Sequence, residues 1–165
     1  DQDRQHIGHI SGPMDWWESR QRREGWQDAL RAAGIEPQDR MVAEGNWSSK
    51  SGKQAFEQLQ MSFPEMDAVF SGNDQMALSI LQTACDHNIK VPNDLAVVGF
   101  DGLPESAYFS PALTTVFQNT IELGRTAVQA LARMVEVSDK EQQGEPVYIT
   151  IRPELIIRRS TIPVR

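Results

Sequence analysis

The sequence predicts an α/β fold: a doubly wound, mostly parallel sheet with helices on both faces. Three observations carry that reading. Leu95-Ala-Val-Val-Gly-Phe100 is apolar throughout, as a parallel strand covered on both sides must be. Asp67 to Leu78 is a strand-turn-helix unit, in which Ala68 to Phe70 is a short apolar run and Ser71-Gly72 a turn. Asn73 then opens a helical pattern through Met76, Ala77, Ile80, Leu81 and Ala84. Strand-like and helix-like segments alternate in β-α-β-α-β-α-β order, which right-handed crossovers wind into a parallel sheet.

Each element has its own signal. His6-Ile-Gly-His-Ile10 alternates and is closed by Ser11-Gly12-Pro13, so a strand runs into a turn. His6 and His9 are an odd number apart, face opposite sides and cannot share a metal. Asp15 with Glu18 three residues later resembles a capping box, and the helix it opens carries Trp26, Ala29, Leu30 and Ala33 on one stripe before Gly34. Met41 to Asn46 is the next strand, followed by Trp47 and a helix bearing Ala55, Phe56 and Leu59. Gly52-Lys53 is not a phosphate loop, because Trp47 stands where the first glycine belongs and Gln54 where Ser or Thr is needed. Leu113 to Phe117 is a β-branched strand; Ile121, Gly124, Val128, Leu131 and Val135 mark an amphipathic helix. Beyond a polar loop from Ser138 to Glu145, Val147 to Ile151 and Leu155 to Ile157 are strand-like.

Composition narrows the function. A chain of 165 residues, 39% hydrophobic and 24% charged, has enough apolar surface for a packed core. The formal net charge of -7 gives no sequence-independent attraction to phosphates, so this segment alone should not hold DNA. No apolar stretch is long enough to span a bilayer, and the lone Cys85 is expected to be an inert buried thiol.

In an open sheet of this kind, ligands sit beyond the carboxyl ends of the strands. Trp47, Asn73, Asp101 and Gln118 each follow a predicted strand. Arg22 lies four residues before Trp26 on the buried stripe, one turn nearer the strand ends, where a guanidinium needs polar partners. Asn73 is also a preferred N-cap and Asp101-Gly102 a common turn pair. Brought together, an indole face, an arginine, a carboxylate and two amides suit a small polyhydroxylated molecule, with C–H groups on the ring and hydroxyls on fixed donors and acceptors. There is no dinucleotide fingerprint, no nucleophile paired with histidine and no metal-ligand cluster. Asp101 with Glu105 is a weak candidate for a glycosidase pair.

Ile10-Ser-Gly-Pro13, Arg22 to Trp26 with Gly25, Gly45-Asn-Trp-Ser48, Ser71 to Leu78, Val97 to Asp101, and Leu113-Thr-Thr-Val116 with Gln118 resemble the effector-binding part of the bacterial LacI/GalR family of transcriptional repressors. The match runs over nearly the whole chain in order. It implies a periplasmic-binding-protein-like core of type I and an effector pocket lined at Arg22, Trp47, Asn73, Asp101 and Gln118. It also implies a cytoplasmic, non-enzymatic homodimer without cofactor or membrane partner, whose affinity for operator DNA is controlled by a small sugar. On that likeness about residues 1–116 form most of the C-terminal subdomain. About 117–145 are a crossover helix belonging to the N-terminal subdomain, and about 146–165 are return strands and tail. The DNA reader and most of the N-terminal subdomain lie outside this sequence, and no leucine heptads mark a tetramer-forming tail between Ser160 and Arg165. Dimer contacts are expected from the helix near Met76 and from Tyr108, Phe109 and Pro111. The competing reading is a periplasmic sugar-binding protein of a transporter, which shares the fold.

Overall fold

A computed structural model describes residues 4–136 and 148–162. Six strands form one sheet: β1 (Ile7–Ser11), β2 (Val42–Glu44), β3 (Ala68–Ser71), β4 (Ala96–Asp101), β5 (Thr114–Phe117) and β6 (Glu154–Ile156). Their spatial order is β2-β1-β3-β4-β5-β6, with the first five parallel and β6 antiparallel beside β5. Four α-helices are described: α1 (Trp17–Ala32), α2 (Ser49–Ser62), α3 (Asp74–Asp86) and α4 (Thr120–Glu136). The chain leaves β1 for β2 on one side and returns to β3 on the other. That reversal is a topological switch point, where the loops after neighbouring strands diverge and leave a crevice.

Strand pleat sorts the helices between the two faces. On β1, His9 stacks on Trp26 of α1 with ring centroids 5.6 Å apart, whereas its neighbour Gly8 faces Leu59 of α2. Helices α2 and α3 therefore share one face and α1 takes the other. The α2/α3 face is close-packed around Phe56, Leu59, Phe63, Val69, Ile80 and Val97, all buried. Against α1 the packing is incomplete. Trp26 and Leu30 are buried, but an apolar trough of about 620 Å³ remains open along Phe70, Val98, Phe100 and Val116. The far edge is stitched by the tail: Ser160 donates to the Val97 carbonyl at 2.6 Å, and Arg158 Nη1 to that of Leu113 at 2.8 Å.

Several sequence expectations need correction. No capping box forms; α1 starts at Trp17 with Trp16 at its N-cap and no side-chain cap, because the chain turns at Pro13 rather than at Asp15. Ala29 and Ala33 are exposed, since α1 buries only a narrow stripe. Residues 148–151 form no strand: Tyr148 and Ile149 are exposed, and the pairing with β5 begins only at Glu154. Val147 and the loop from Ser138 to Glu145 lie outside the described residues. Cys85 is exposed, because it sits on the outward side of α3, away from buried Ala84. Met76 is completely buried against Gly52 of α2 and Gly45 after β2, so it has no surface to offer a second subunit. Tyr108 is exposed, and Phe109 and Pro111 are half-buried beside a hollow at the opposite end of the molecule from the switch point. The amphipathic pattern of α4 is real, yet its Ile121, Val128, Leu131 and Val135 all stand exposed.

Candidate functional site

Two residues in left-handed backbone conformation frame the crevice. Trp47, just after β2, has φ 71°, and Asp101, at the end of β4, has φ 107°. Neither is glycine, so each position is held by its surroundings. Asn73, the N-cap of α3, holds the first: its Oδ1 accepts from Met76 N at 2.8 Å, and its Nδ2 donates to the Trp47 carbonyl at 3.0 Å. Capping and rim placement are thus the same arrangement, and the second Nδ2 hydrogen remains for another acceptor. The indole of Trp47 lies flat against Gly12, where a Cβ would come within 2.1 Å of the ring. Trp16 meets that ring edge-on at 6.0 Å.

The next residue, Asp74, holds the second. Its buried carboxylate accepts from Leu103 N at 2.7 Å and from Thr115 Oγ1 at 2.6 Å, fixing the backbone that follows Asp101. Gly99 makes room, since a Cβ there would lie 2.2 Å from Asp74 Oδ1. Asp101 then reaches the crevice, where Oδ1 accepts from Gln118 Nε2 at 3.2 Å and pairs with Arg22 Nη2 at 3.6 Å. Arg22 donates from Nη1 to the Gly72 carbonyl at 2.6 Å, and its guanidinium lies 3.9 Å over the Phe100 ring and 5.4 Å from that of Trp47. Burial pushes the Asp101 carboxyl above the usual aspartate range; Asp74 adds to this, while Arg22 and Gln118 oppose it. Burial likewise pulls the Arg22 guanidinium down, against the pull of Asp101 and Glu18.

These groups surround a hollow of about 230 Å³ lined by Trp16, Glu18, Arg22, Trp47, Asn73 and Asp101. Four of the five expected side chains, Arg22, Trp47, Asn73 and Asp101, line this hollow; Gln118 lines the apolar trough instead and touches the site only through its bond to Asp101. Sequence reasoning missed Trp16, Glu18 and Asp74. Glu18 lies one helical turn before Arg22, and that spacing marks a shared face. For Asp74 the signal was an acidic residue opening an otherwise apolar helix. Glu105 is exposed in the 3-10 turn Pro104–Tyr108, not in this hollow. Among the described residues no three His, Cys, Asp or Glu side chains cluster as metal ligands.

Residues 1–161 match the family of periplasmic binding protein-like domains. The chain belongs to that family. It is 32% identical over 160 residues to the HTH-type transcriptional repressor PurR of Photobacterium profundum, covering 97% of this chain and 47% of the repressor. Among solved structures it is similar to the CelR-cellobiose complex, with a TM-score of 0.87 and 32% identity over 96% of this chain and 47% of that one. It is also similar to the lac repressor dimer bound to operator and the anti-inducer ONPF, at 0.87 and 29% over 98% and 54%. Within the family, this is the effector-domain type of the LacI/GalR regulators. The chain spans about half the length of these relatives. All three are regulators of transcription rather than transport proteins or enzymes. No helix among the described residues is long and apolar enough to cross a membrane.

Proposed function

We propose that the intact protein is a cytoplasmic LacI-type repressor whose affinity for operator DNA is controlled by a small sugar bound in this hollow. The observation that carries the reading is the convergence of an indole face, a guanidinium, a carboxylate and an amide on one cavity at the switch point. Trp47 offers a flat apolar surface for the C–H face of a pyranose. Asp101 accepts from hydroxyls, and Arg22 and Asn73 donate to them. A ligand lacking one hydroxyl leaves a buried partner unpaired, at about 1–3 kcal/mol, which is the basis of discrimination. The cellobiose named with CelR supports a sugar over other polar ligands.

In this reading about residues 1–116 are most of the C-terminal subdomain and α4 crosses to an N-terminal subdomain. A DNA reader outside this sequence binds the operator. Homodimer contacts include Tyr108, Phe109 and Pro111. Sugar held between subdomains favours one relative orientation, which sets the spacing of two DNA readers on paired half-sites. Linkage then requires operator to change sugar affinity by the factor that sugar changes operator affinity. Titrating the intact protein with sugar, with and without operator, should give different dissociation constants; equal constants would refute the mechanism. A thermal-shift screen finds the sugar, since a ligand at 100 times its dissociation constant adds about 2.7 kcal/mol.

A further inference from the structure

The charges around the hollow are unbalanced. Its lining holds two carboxylates, Glu18 and Asp101, against one guanidinium, Arg22. A third carboxylate, Asp74, stands directly behind Asp101, close enough for its charge to weigh on that group. We propose that the effector is a sugar without negative charge, and that Glu18 and Asp101 make this hollow reject sugar phosphates and sugar acids. The proposal rests on the sugar reading above and narrows it.

Arg22 is the obvious objection, because an arginine fork is the usual receptor for phosphate or carboxylate. Here part of the fork is already engaged. Nη1 donates to the Gly72 carbonyl, Nη2 pairs with Asp101, and one face of the guanidinium is covered by Phe100. An anion on Nη2 would compete with Asp101 for its cation, and one on the remaining N–H groups would sit beside that carboxylate. Hydrogen-bond parity points the same way. The donors left at the hollow are the second Nδ2 hydrogen of Asn73 and the N–H groups of Arg22 that neither Gly72 nor Asp101 takes. The remaining groups are carboxylate oxygens, which accept only. A hydroxyl can donate to a carboxylate and accept from an amide, whereas an ionised phosphate or carboxylate brings acceptors alone and would face Glu18 and Asp101 acceptor to acceptor.

The test is a calorimetric or thermal-shift panel on the full-length protein at pH 7. The probes are glucose, galactose and cellobiose as neutral sugars, glucose 6-phosphate, gluconate and galacturonate as anions, and glucosamine as a cation. We expect at least one neutral or cationic probe to bind at least about tenfold more tightly than any anion, equivalent to ~1.4 kcal/mol. Exclusion by charge should also weaken as salt rises from about 0.1 M to 1 M, where the screening length falls from ~10 to ~3 Å. The Glu18→Gln variant should narrow the neutral-to-anion ratio at low salt. An anion that binds as tightly as the best neutral sugar overturns the proposal and leaves the sugar reading intact. A preference that ignores both salt and Glu18→Gln assigns the exclusion to shape and overturns it too. Failure of every probe to bind removes the sugar reading and, with it, this proposal.

Discussion

The two faces of the sheet solve the same burial problem differently. Beneath α2 and α3 the packing is apolar and complete, with Phe56, Leu59, Phe63, Met76 and Ile80 at zero exposure. Beneath α1 lie His9, Ser11, Ser19 and Trp26, and each has a buried polar atom with no hydrogen-bond partner; the fifth such atom among the described residues is Nε1 of Trp47 at the rim. None belongs to the α2/α3 side. The first face supplies cohesion. The second carries polar groups whose value lies in what they position, and Arg22 stands on α1 between Ser19 and Trp26.

The largest expected effect tests this division. Phe56→Ala should cost about 3–5 kcal/mol, because a completely buried ring leaves a cavity that close-packed neighbours do not fill. Substituting exposed Ala29 of α1 with serine should stay within about 0.5 kcal/mol. Urea denaturation of both variants measures the contrast, and equal losses would abolish it.

Acid should act through the α1 face. His9 is buried between Trp26 and Phe70, with Nδ1 2.9 Å from the Phe70 carbonyl. Burial lowers its pKa from 6.5 to about 4; the charges of Arg23 and Arg22 push the same way, and the Phe70 carbonyl opposes. As pH falls, the unfolded chain takes up this proton before the folded one. The stability is complete above 6.5 and is lost between 6.5 and about 4, amounting to about 3 kcal/mol. The raised carboxyls of Asp74 and Asp101 act in the opposite sense, with stability falling as pH rises above 3.8 through their folded values. Subtracting the pH profile of His9→Gln from that of the native chain isolates the histidine. A flat difference across that window would remove its role.

The sheet was legible because β4 and α3 carry unmixed signals: a continuous apolar run, and a stripe whose members Met76, Ala77, Ile80, Leu81 and Ala84 are all buried. Trp47, Asn73, Asp101 and Gln118 were legible because topology alone puts strand ends together, and Arg22 because it stands one turn nearer those ends on the α1 stripe. What escaped depended on tertiary detail. Cys85 and Ala84 are adjacent in sequence but point to opposite sides of the helix wall, so a mildly apolar neighbour gave no guidance. Glu18 belonged to an apparent capping box, a local pattern that the turn at Pro13 overrode. Asp74 is a first-turn acid of α3, and only the fold brings Thr115 and Leu103 to it.

Asp74 links the dry face to the rim, so Asp74→Asn sharpens the comparison. The amide oxygen can keep the N–H of Leu103 while its NH2 donates to Thr115 Oγ1, which leaves the buried hydroxyl hydrogen without its acceptor and costs about 1–3 kcal/mol. It also deletes the share of the pH dependence that belongs to the raised Asp74 carboxyl. Thermal melts from pH 4 to 8 measure both. A variant of native stability would show that the backbone after Asp101 holds its conformation unaided.

The smallest effect in this chain is expected on α4, whose apolar stripe neither face covers. Leu131 is exposed, so Leu131→Ala should change the stability of this chain by no more than about 0.5 kcal/mol. If α4 crosses to an N-terminal subdomain as proposed, the same substitution in the intact protein removes a buried side chain and costs about 2–5 kcal/mol. Measuring the variant in both contexts turns an inert position into a test of the subdomain boundary. The gap between the two values reports how much of the Leu131 side chain the rest of the protein covers, and equal small values would place α4 outside any core.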